Sequence, residues 1–163
     1  MDNQHTPKET DLAYLAGLID GEGTVTLEKH GRRRKGNNEM GISPIVLVAN
    51  TDYTLIQHTV NLFRKLGVNP YVKSQNPKKK NRRKKTCYWV TCKGLNKCKR
   101  ILIPLLPYLV GKQAQARLIL EWIESRGDTN VAKGKPYSDY DFQIWDKVKS
   151  INHRGVTDCG LRP

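Results

Sequence analysis

The stretch Leu15-Ala16-Gly17-Leu18-Ile19-Asp20-Gly21-Glu22-Gly23 ends an apolar helical segment with two carboxylates set between glycines. Residues 12–19 have no polar side apart from the hydroxyl of Tyr14. A helix that is apolar all round must be covered all round. We therefore expect one face to pack on its own domain and the other to need a partner, such as a second subunit. The candidate interface residues are Ala13, Ala16, Gly17 and Asp20.

The two acids stand where a helix carries partial negative charge, which makes each of them unfavourable by up to about 1 kcal/mol. A bound cation would reverse the sign of this effect. Carboxylate and carbonyl oxygens suit Mg²⁺, or another divalent cation such as Mn²⁺. Asp20 and Glu22 are therefore candidate metal ligands, and Gly21 and Gly23 let the backbone turn and bring a carbonyl close to the ion. On these residues alone, a solvated acidic turn is the alternative.

Positive charge is in excess and is clustered. The chain has 29 Lys and Arg against 15 Asp and Glu, a formal net charge of +14. Residues 32–35 are all basic, and residues 78–85 are basic at every position except Asn81. Such runs cannot be buried, so they are solvated or lie against a polyanion. We expect two hairpin loops that contact nucleic-acid phosphates; a solvated loop or a nuclear-import signal is the alternative.

Length and composition exclude several classes of protein. With 163 residues the chain fits one domain that needs no disulfide to fold. No apolar run approaches the ~18 residues of a membrane span, and the N-terminus lacks the apolar core of a secretory signal. The spacing of the four cysteines matches no zinc site, so we expect reduced thiols. We expect an intracellular protein, in a prokaryotic cytoplasm or in an organelle or nucleus, and not a secreted one.

Hydrophobic periodicity predicts an α+β fold, an αββαββα core with a four-stranded antiparallel DNA-binding sheet, followed by C-terminal helices. Thr6, Pro7 and Glu9 predict the first helix start, with Thr6 as cap. The predicted helices span residues 7–20, 52–66, 95–108, 112–126 and 139–151, the strands span 24–28, 42–49, 71–75 and 87–92, and residues 30–39 form a loop. We expect residues 1–126 to form the core domain and residues 127–163 to add a linker, a helix and a tail packed on it.

Residues 15–23 resemble the LAGLIDADG motif that names a family of homing endonucleases. The first six letters and the last match, while Gly21 replaces Ala and Glu22 replaces the second Asp. The predicted order of elements over residues 7–126 is also similar to the family's core followed by a further helix. The resemblance implies a site-specific endonuclease that cuts both strands of a near-palindromic DNA. Because the motif occurs once, it implies a homodimer joined through the motif helices.

The resemblance also implies roles for particular residues. Glu22 would bind the divalent metal with help from the Gly21 carbonyl, while Asp20 would orient the helix end rather than ligate the metal. Lys112 would stand near the attacking water. Asn50 or Thr51 would take the polar position after the second strand, although Asn50 could equally cap the next helix. The catalytic candidates are therefore Glu22, Lys112, Asn50 and Thr51.

Base contacts are expected from the polar strand faces and phosphate contacts from the basic runs. The candidates are Thr24, Thr26, Glu28, His30, Arg32, Arg33, Arg34, Lys73, Gln75, Lys79, Arg82, Arg83 and Lys84. The second strand has no polar alternate face over residues 45–48, so either that face contacts thymine methyl groups or the assigned parity is wrong. For Trp89 the sequence leaves core and DNA face both open.

Two other functions fit the same residues. One is an RNA maturase that helps an intron to fold, with intron RNA as a further partner. The other is a non-catalytic nucleic-acid-binding regulator on the same fold. The intact acids at positions 20 and 22 favour the nuclease over both.

Overall fold

The computed structural model describes residues 6–34, 37–76, 85–127 and 135–152, with the backbone alone at 32–34 and 37–39. Over these ranges the chain forms α1 (Glu9–Glu22), β1 (Gly23–Arg34), β2 (Asn37–Asn50), α2 (Tyr53–Lys65), β3 (Tyr71–Gln75), β4 (Cys87–Lys93), α3 (Leu95–Leu105), α4 (Gln113–Arg126) and α5 (Asp139–Asn152). The predicted α+β class is confirmed, with an αββαββα order followed by two further helices.

Helix α1 begins later than the sequence predicts. Its N-cap is Lys8, whose backbone N–H donates to Asp11 Oδ2 at 3.1 Å. The predicted Thr6 cap is therefore wrong, because the acidic residue that closes the first turn lies three residues after Lys8. Lys65 Nζ donates to the same Asp11 oxygen at 2.8 Å. This hydrogen bond, together with that from Lys8, lowers the pKa of Asp11 and ties α1 to α2.

The basic segment at residues 30–39 is strand and not loop. Strands β1 and β2 pair antiparallel from Gly23 opposite Val48 to Arg34 opposite Asn37. The predicted loop and the predicted hairpin-loop position of residues 32–34 are therefore wrong. The turn preferences of Gly and Asn in this segment are weak compared with the ladder hydrogen bonds that two paired strands supply.

The four strands within the described residues form one antiparallel sheet in the order β1-β2-β4-β3. The inner face packs against the helices and is apolar, with Val25, Leu27, Val46, Val48, Val90 and Cys92 all buried. The register places Thr26 opposite Ile45 and Thr24 opposite Leu47, so these residues share the outer face. The parity assigned to β2 is therefore correct, and over residues 45–48 this strand is apolar on both faces.

Helix α5 packs on α4 and β1, and a buried ion pair joins it to α4. Arg126 and Asp141 are 4% and 2% exposed, and Arg126 Nη1 lies 3.3 Å from Asp141 Oδ2. Trp122 Nε1 donates to the other Asp141 oxygen at 2.7 Å. Burial raises the pKa of Asp141, but hydrogen bonds from Ser138 and Trp122 and the charge of Arg126 outweigh it, so the net pKa is lowered. The domain division at residue 126, with residues 127–163 packed on the core, stays a prediction.

The described thiols are unpaired. Cys87, Cys92 and Cys98 form no disulfide, and burial raises the pKa of both Cys92 and Cys98 to about 12. Thiols with such a pKa are inert at neutral pH. Cys159 lies outside the described residues. None of the helices in the described ranges is long and apolar enough to span a membrane.

Candidate active site and nucleic-acid interface

Helix α1 ends in a tight junction that presents Glu22 to solvent. Glu22 is exposed, and the Gly23 N–H donates to Ile19 O as β1 begins. A Cβ on Gly23 would stand 2.6 Å from Ile19 O and 2.7 Å from Ile19 Cα, so only glycine fits there. A Cβ on Gly21 would meet nothing within 4 Å. The glycine at position 23 is therefore required by space, while position 21 tolerates a side chain.

The Asp20 carboxylate caps the turn that precedes α4. Its Oδ2 accepts the N–H groups of Val110 at 2.7 Å and Gly111 at 3.1 Å, and its Oδ1 accepts the N–H of Lys112 at 2.8 Å. Both oxygens are thus engaged with backbone donors, which favours the orienting role over a metal-binding role. Asp20 as a metal ligand stays a prediction.

Lys112 lies against the same helix end. Its Nζ donates to the backbone carbonyl of Asp20 at 2.5 Å. The C-terminal end of a helix carries partial negative charge, so an ammonium group is favourable there. A cleft of about 320 Å³ opens at this point, lined by Gly21, Gly23, Thr24, Thr26, Gly111, Lys112, Gln115, Ile151 and Asn152. The structure therefore brings the motif glycines and the candidate lysine to one cleft, although 92 residues separate Asp20 from Lys112.

Asn50 and Thr51 lie at the same end of the sheet. Gly23 opens β1 opposite Val48, so Asn50, two residues further along β2, lies at the edge of the sheet where α1 ends. Asn50 Oδ1 accepts the N–H of Asp52 at 2.9 Å, and Asp52 is the cap of α2. Thr51 is exposed. Asn50 therefore shapes the entry to α2 without capping it directly, and the catalytic role of either residue stays a prediction.

The outer face of the sheet carries the predicted polar side chains. Thr24 and Glu28 are exposed and Thr26 is half-buried on β1, and Lys73 and Gln75 are exposed on β3. Across the middle of this face lies a depression of about 250 Å³, lined by Leu47, Tyr71, Lys73, Gln75, Trp89 and Thr91. Trp89 therefore belongs to the outer face, which the sequence left open.

Two further features of the outer face could not be read from one strand alone. Lys93 Nζ lies 2.6 Å from Glu28 Oε2, an ion pair from β4 to β1 across β2. Lys93 and Tyr71 were not among the predicted residues, although the alternation of β3 and β4 contained the signal. His30 lies over Gly41 of the neighbouring strand, where a Cβ would stand 2.6 Å from His30 Nε2. Glu28 and His30 are therefore already in contact with neighbouring strands.

The basic runs are only partly described. Arg32, Arg33 and Arg34 lie in β1 opposite Glu39, Asn38 and Asn37, with backbone positions alone described. Lys79, Arg82, Arg83 and Lys84 lie outside the described residues. The expected phosphate contacts of both groups stay predictions.

The candidate interface on α1 separates into two faces. Ala13 and Gly17 are exposed, and Asp20 is half-buried. Ala16 is 0% exposed within the chain's own core, so its assignment to an interface is wrong. Positions 13, 17 and 21 follow one line at helical spacing, which leaves a ridge of small residues on the exposed side. Gln115 and Asn152, which the sequence did not single out, complete the cleft at its other wall.

Comparison with known proteins identifies the family and the fold. A family model described as homing endonuclease matches residues 9–103. The fold is similar to that of the homing endonuclease I-CvuI, solved with a DNA target in the presence of magnesium, at 22% identity and a TM-score of 0.66 over 95% of this chain and 87% of that one. It is also similar to the archaeal intron-encoded homing endonuclease I-Vdi141I complexed with DNA, at 11% identity and a TM-score of 0.63 over 92% and 89% of the two chains.

A third similar structure is the group I intron-encoded homing endonuclease I-CeuI complexed with DNA, at 13% identity and a TM-score of 0.60 over 88% of this chain and 68% of that one. At such identities the likeness of structures shows a shared fold. No curated protein sequence matches the chain significantly.

Proposed function

Since the chain belongs to the homing endonuclease family, we propose that two copies of it cut both strands of one long, near-palindromic DNA site with a divalent metal ion at Glu22. The observation that supports this most directly is the tie between Asp20 and Lys112. It holds a cationic side chain beside the helix end that bears Glu22, next to the polar face of the sheet. A carboxylate that can hold a metal ion and an ammonium group that can stabilise negative charge, both at this helix end, suit metal-assisted phosphodiester hydrolysis.

The donor set fits a hard cation that keeps most of its waters. Glu22 offers an exposed carboxylate and Gly21 a carbonyl, while the described part of the chain contains no cluster of three or more His, Cys, Asp or Glu residues. Mg²⁺ or Mn²⁺ suits such a sparse site, because it binds through one or two carboxylates and substrate phosphate. When bound, the ion supplies Lewis acidity at the phosphate and lowers the pKa of a bound water.

The chain's own residues do the rest. Glu22 holds the ion, Asp20 keeps the start of α4 at the end of α1, and Lys112 places its charge where negative charge develops on the phosphate. Asn50 and Thr51 lie at the same edge of the sheet, within the region that the backbone of the DNA would cross. Cleavage then depends on a geometry held by the hydrogen bonds that the Asp20 and Lys112 side chains make to each other's backbone.

The sheet's outer face is the proposed DNA-reading surface. A strand pair fits the major groove, where each base pair has a distinct pattern of donors and acceptors. Lys73 and Gln75 suit guanine and adenine, and the apolar Leu47 beside them suits a thymine methyl group. The +14 net charge supports phosphate contact along the rest of the site. Such a substrate and the free thiols fit a protein that acts inside the cell.

The dimer is proposed to form through α1. Ala13 and Gly17 are exposed, and a Cβ on Gly17 would meet nothing within 4 Å, so a second helix can approach closely. Each chain carries one motif, whereas two strands must be cut. A two-fold dimer brings two copies of Glu22 together and recognises a site with matching symmetry.

The experiment is cleavage selection from a random duplex library with Mg²⁺, followed by Glu22→Gln on the selected site. We expect Glu22→Gln to abolish cleavage while DNA affinity stays within about twofold, because the charge that holds the metal is lost but the sheet is intact. Glu121→Gln is the matched control on α4, since its carbonyl can still accept the Tyr140 hydroxyl as Glu121 does at 3.0 Å. If Glu22→Gln still cuts, the metal assignment is wrong.

A wild-type protein that binds duplex DNA but cuts none of it would instead support the regulator alternative. Binding to a structured intron RNA in preference to duplex DNA would support the maturase alternative.

A further inference from the structure

Among the described residues, one polar atom at the candidate cleft has no hydrogen-bond partner. Gln115 is 5% exposed, and its Oε1 is buried without a partner among the described residues. Gln115 lies on the third residue of α4 and lines the same cleft as Gly21 and Lys112. A buried acceptor without a donor costs about 1–3 kcal/mol, so its presence at a polar cleft points to a ligand.

The orientation of the Gln115 side-chain amide is set by a chain of two hydrogen bonds, through Asn152 to the backbone carbonyl of Val25. This chain is called the relay below. Val25 O can only accept, and Asn152 Nδ2 donates to it at 3.1 Å. Asn152 Oδ1 must then face Gln115, and it accepts Gln115 Nε2 at 3.3 Å. Rotating either amide by half a turn would set two donors or two acceptors against each other. The relay therefore leaves Gln115 Oε1 as the acceptor that this residue offers to the cleft.

The chemistry of the site limits what can donate to Gln115 Oε1. Phosphate oxygens of DNA are acceptors only, so the substrate backbone cannot be its partner. The Lys112 ammonium group donates to Asp20 O, and no group among the described residues, Lys112 included, donates to Gln115 Oε1. Water is the remaining small donor, and unsatisfied buried acceptors at polar clefts are the usual sites of ordered water.

We propose that Gln115 holds the water that attacks the scissile phosphodiester, and that Asn152 of α5 is a positioning residue that acts through Gln115. This inference rests on the proposed nuclease function. The water donates one O–H to Gln115 Oε1 and forms the new P–O bond with a lone pair. The bond from phosphorus to the bridging oxygen breaks, its electron pair stays on that oxygen, the attacking water loses a proton to solvent and the leaving oxygen gains one. Gln115 stays neutral throughout and orients the nucleophile, a known use of glutamine in phosphoryl transfer.

The test compares Gln115→Met with Gln113→Met. Gln113 lies two residues earlier and donates Nε2 to Leu106 O at 3.1 Å, so both variants lose one donated hydrogen bond, but Gln113 does not line the cleft. We expect Gln115→Met to lower the single-turnover cleavage rate about tenfold, the equivalent of one hydrogen bond in the transition state. Its DNA dissociation constant, measured with Ca²⁺, should stay within about twofold, and Gln113→Met should change neither quantity.

An unchanged cleavage rate in a folded Gln115→Met protein would overturn the inference. So would a rate and an affinity that fall together with the melting temperature, because that is the signature of a structural role. If the wild type itself cuts no DNA, the proposed nuclease function fails. That outcome can be told apart from failure of the Gln115 inference, because the two variants are compared only once the wild type is shown to cut.

The role of Asn152 has its own test, with a readout that needs no cleavage. In the metal-free protein, we expect the side-chain amide protons of Gln115 to exchange slowly by NMR in the wild type and at least tenfold faster in Asn152→Ala. In cleavage assays, Asn152→Ala should lower the rate, and adding it to Gln115→Met should cause no further loss. Additive losses, or an amide of Gln115 that exchanges equally fast in both proteins, would show that Asn152 does not act through Gln115.

Discussion

Asp20 and Lys112 bind each other in both directions. The Asp20 carboxylate accepts the backbone N–H of Lys112 at 2.8 Å, and Lys112 Nζ donates to the backbone carbonyl of Asp20 at 2.5 Å. The side chain of each residue thus forms a hydrogen bond with the backbone of the other. The end of α1 and the start of α4 are thereby joined into one corner, and Glu22 extends from that corner.

Replacing Asp20 tests whether its carboxylate orients the start of α4 or binds the metal ion. Asp20→Asn puts an NH₂ group against backbone N–H donors. We therefore expect the free energy of unfolding to fall by about 1.5–3 kcal/mol, the range for hydrogen bonds to a charged group. For a chain of this size that is a fall in melting temperature of about 3–12 °C. Asp146→Asn, an exposed acid on α5, is the control for charge and should stay within ~0.5 kcal/mol. Unchanged stability with a weakened metal affinity would show instead that Asp20 is a ligand.

The two glycines that flank Glu22 should respond in opposite directions to alanine. Gly23→Ala places a Cβ 2.6 Å from Ile19 O. We expect the free energy of unfolding to fall by about 1–3 kcal/mol, because the backbone at the junction must shift. Gly21→Ala has open space, and a helical glycine gains about 0.5–1 kcal/mol on this change. Thermal unfolding of both variants measures the difference. Equal stability of the two would mean that the junction does not depend on this close approach.

A larger side chain on the exposed ridge of α1 should weaken the dimer without unfolding the monomer. Gly17→Leu adds a strong helix former where a Cβ meets nothing within 4 Å, so the monomer should remain folded. A second α1 packed against this ridge would be forced away, and we expect the dimer to dissociate at concentrations at which the wild type is dimeric. Light scattering across a dilution series gives the oligomeric state. A wild type that is strictly monomeric on and off DNA would contradict the shared interface.

The buried pair between α4 and α5 should make stability depend on acid pH. The pKa of Asp141 is lowered in the folded state, so the unfolded chain binds its proton more tightly as pH falls. The stability it contributes is therefore present above the unfolded pKa near 4 and is lost as pH falls through the folded pKa. Asp141→Asn should lower the free energy of unfolding by about 3–5 kcal/mol at neutral pH, because Arg126 is left buried without a counter-charge.

Urea unfolding of the wild type and Asp141→Asn between pH 3 and 7 measures this contribution. The difference between the two proteins should shrink toward the acid end. A difference that is constant across the range would show that the Asp141 charge does not stabilise the fold.

Local sequence was sufficient for the elements with strong periodicity. Helix α2 and strand β3 fall within a residue of their predicted bounds, because an amphipathic stripe or a short bounded alternation is encoded within a few neighbouring residues. The strand at residues 30–39 was not predicted, because its own residues favour a turn. It is a strand because each half pairs with the other, and that pairing is not visible in local sequence.

Residue types and short-range spacing were enough to predict the class of the fold, the motif with its two acids and the excess of positive charge. Tertiary structure alone decided which of these groups meet. It placed Lys112 on Asp20, buried Ala16, turned Trp89 to the outer face and brought Asn152 of α5 to Gln115 at the cleft. Contacts between residues about 40 to 90 positions apart are set by how whole elements pack, and no local pattern in the chain records them.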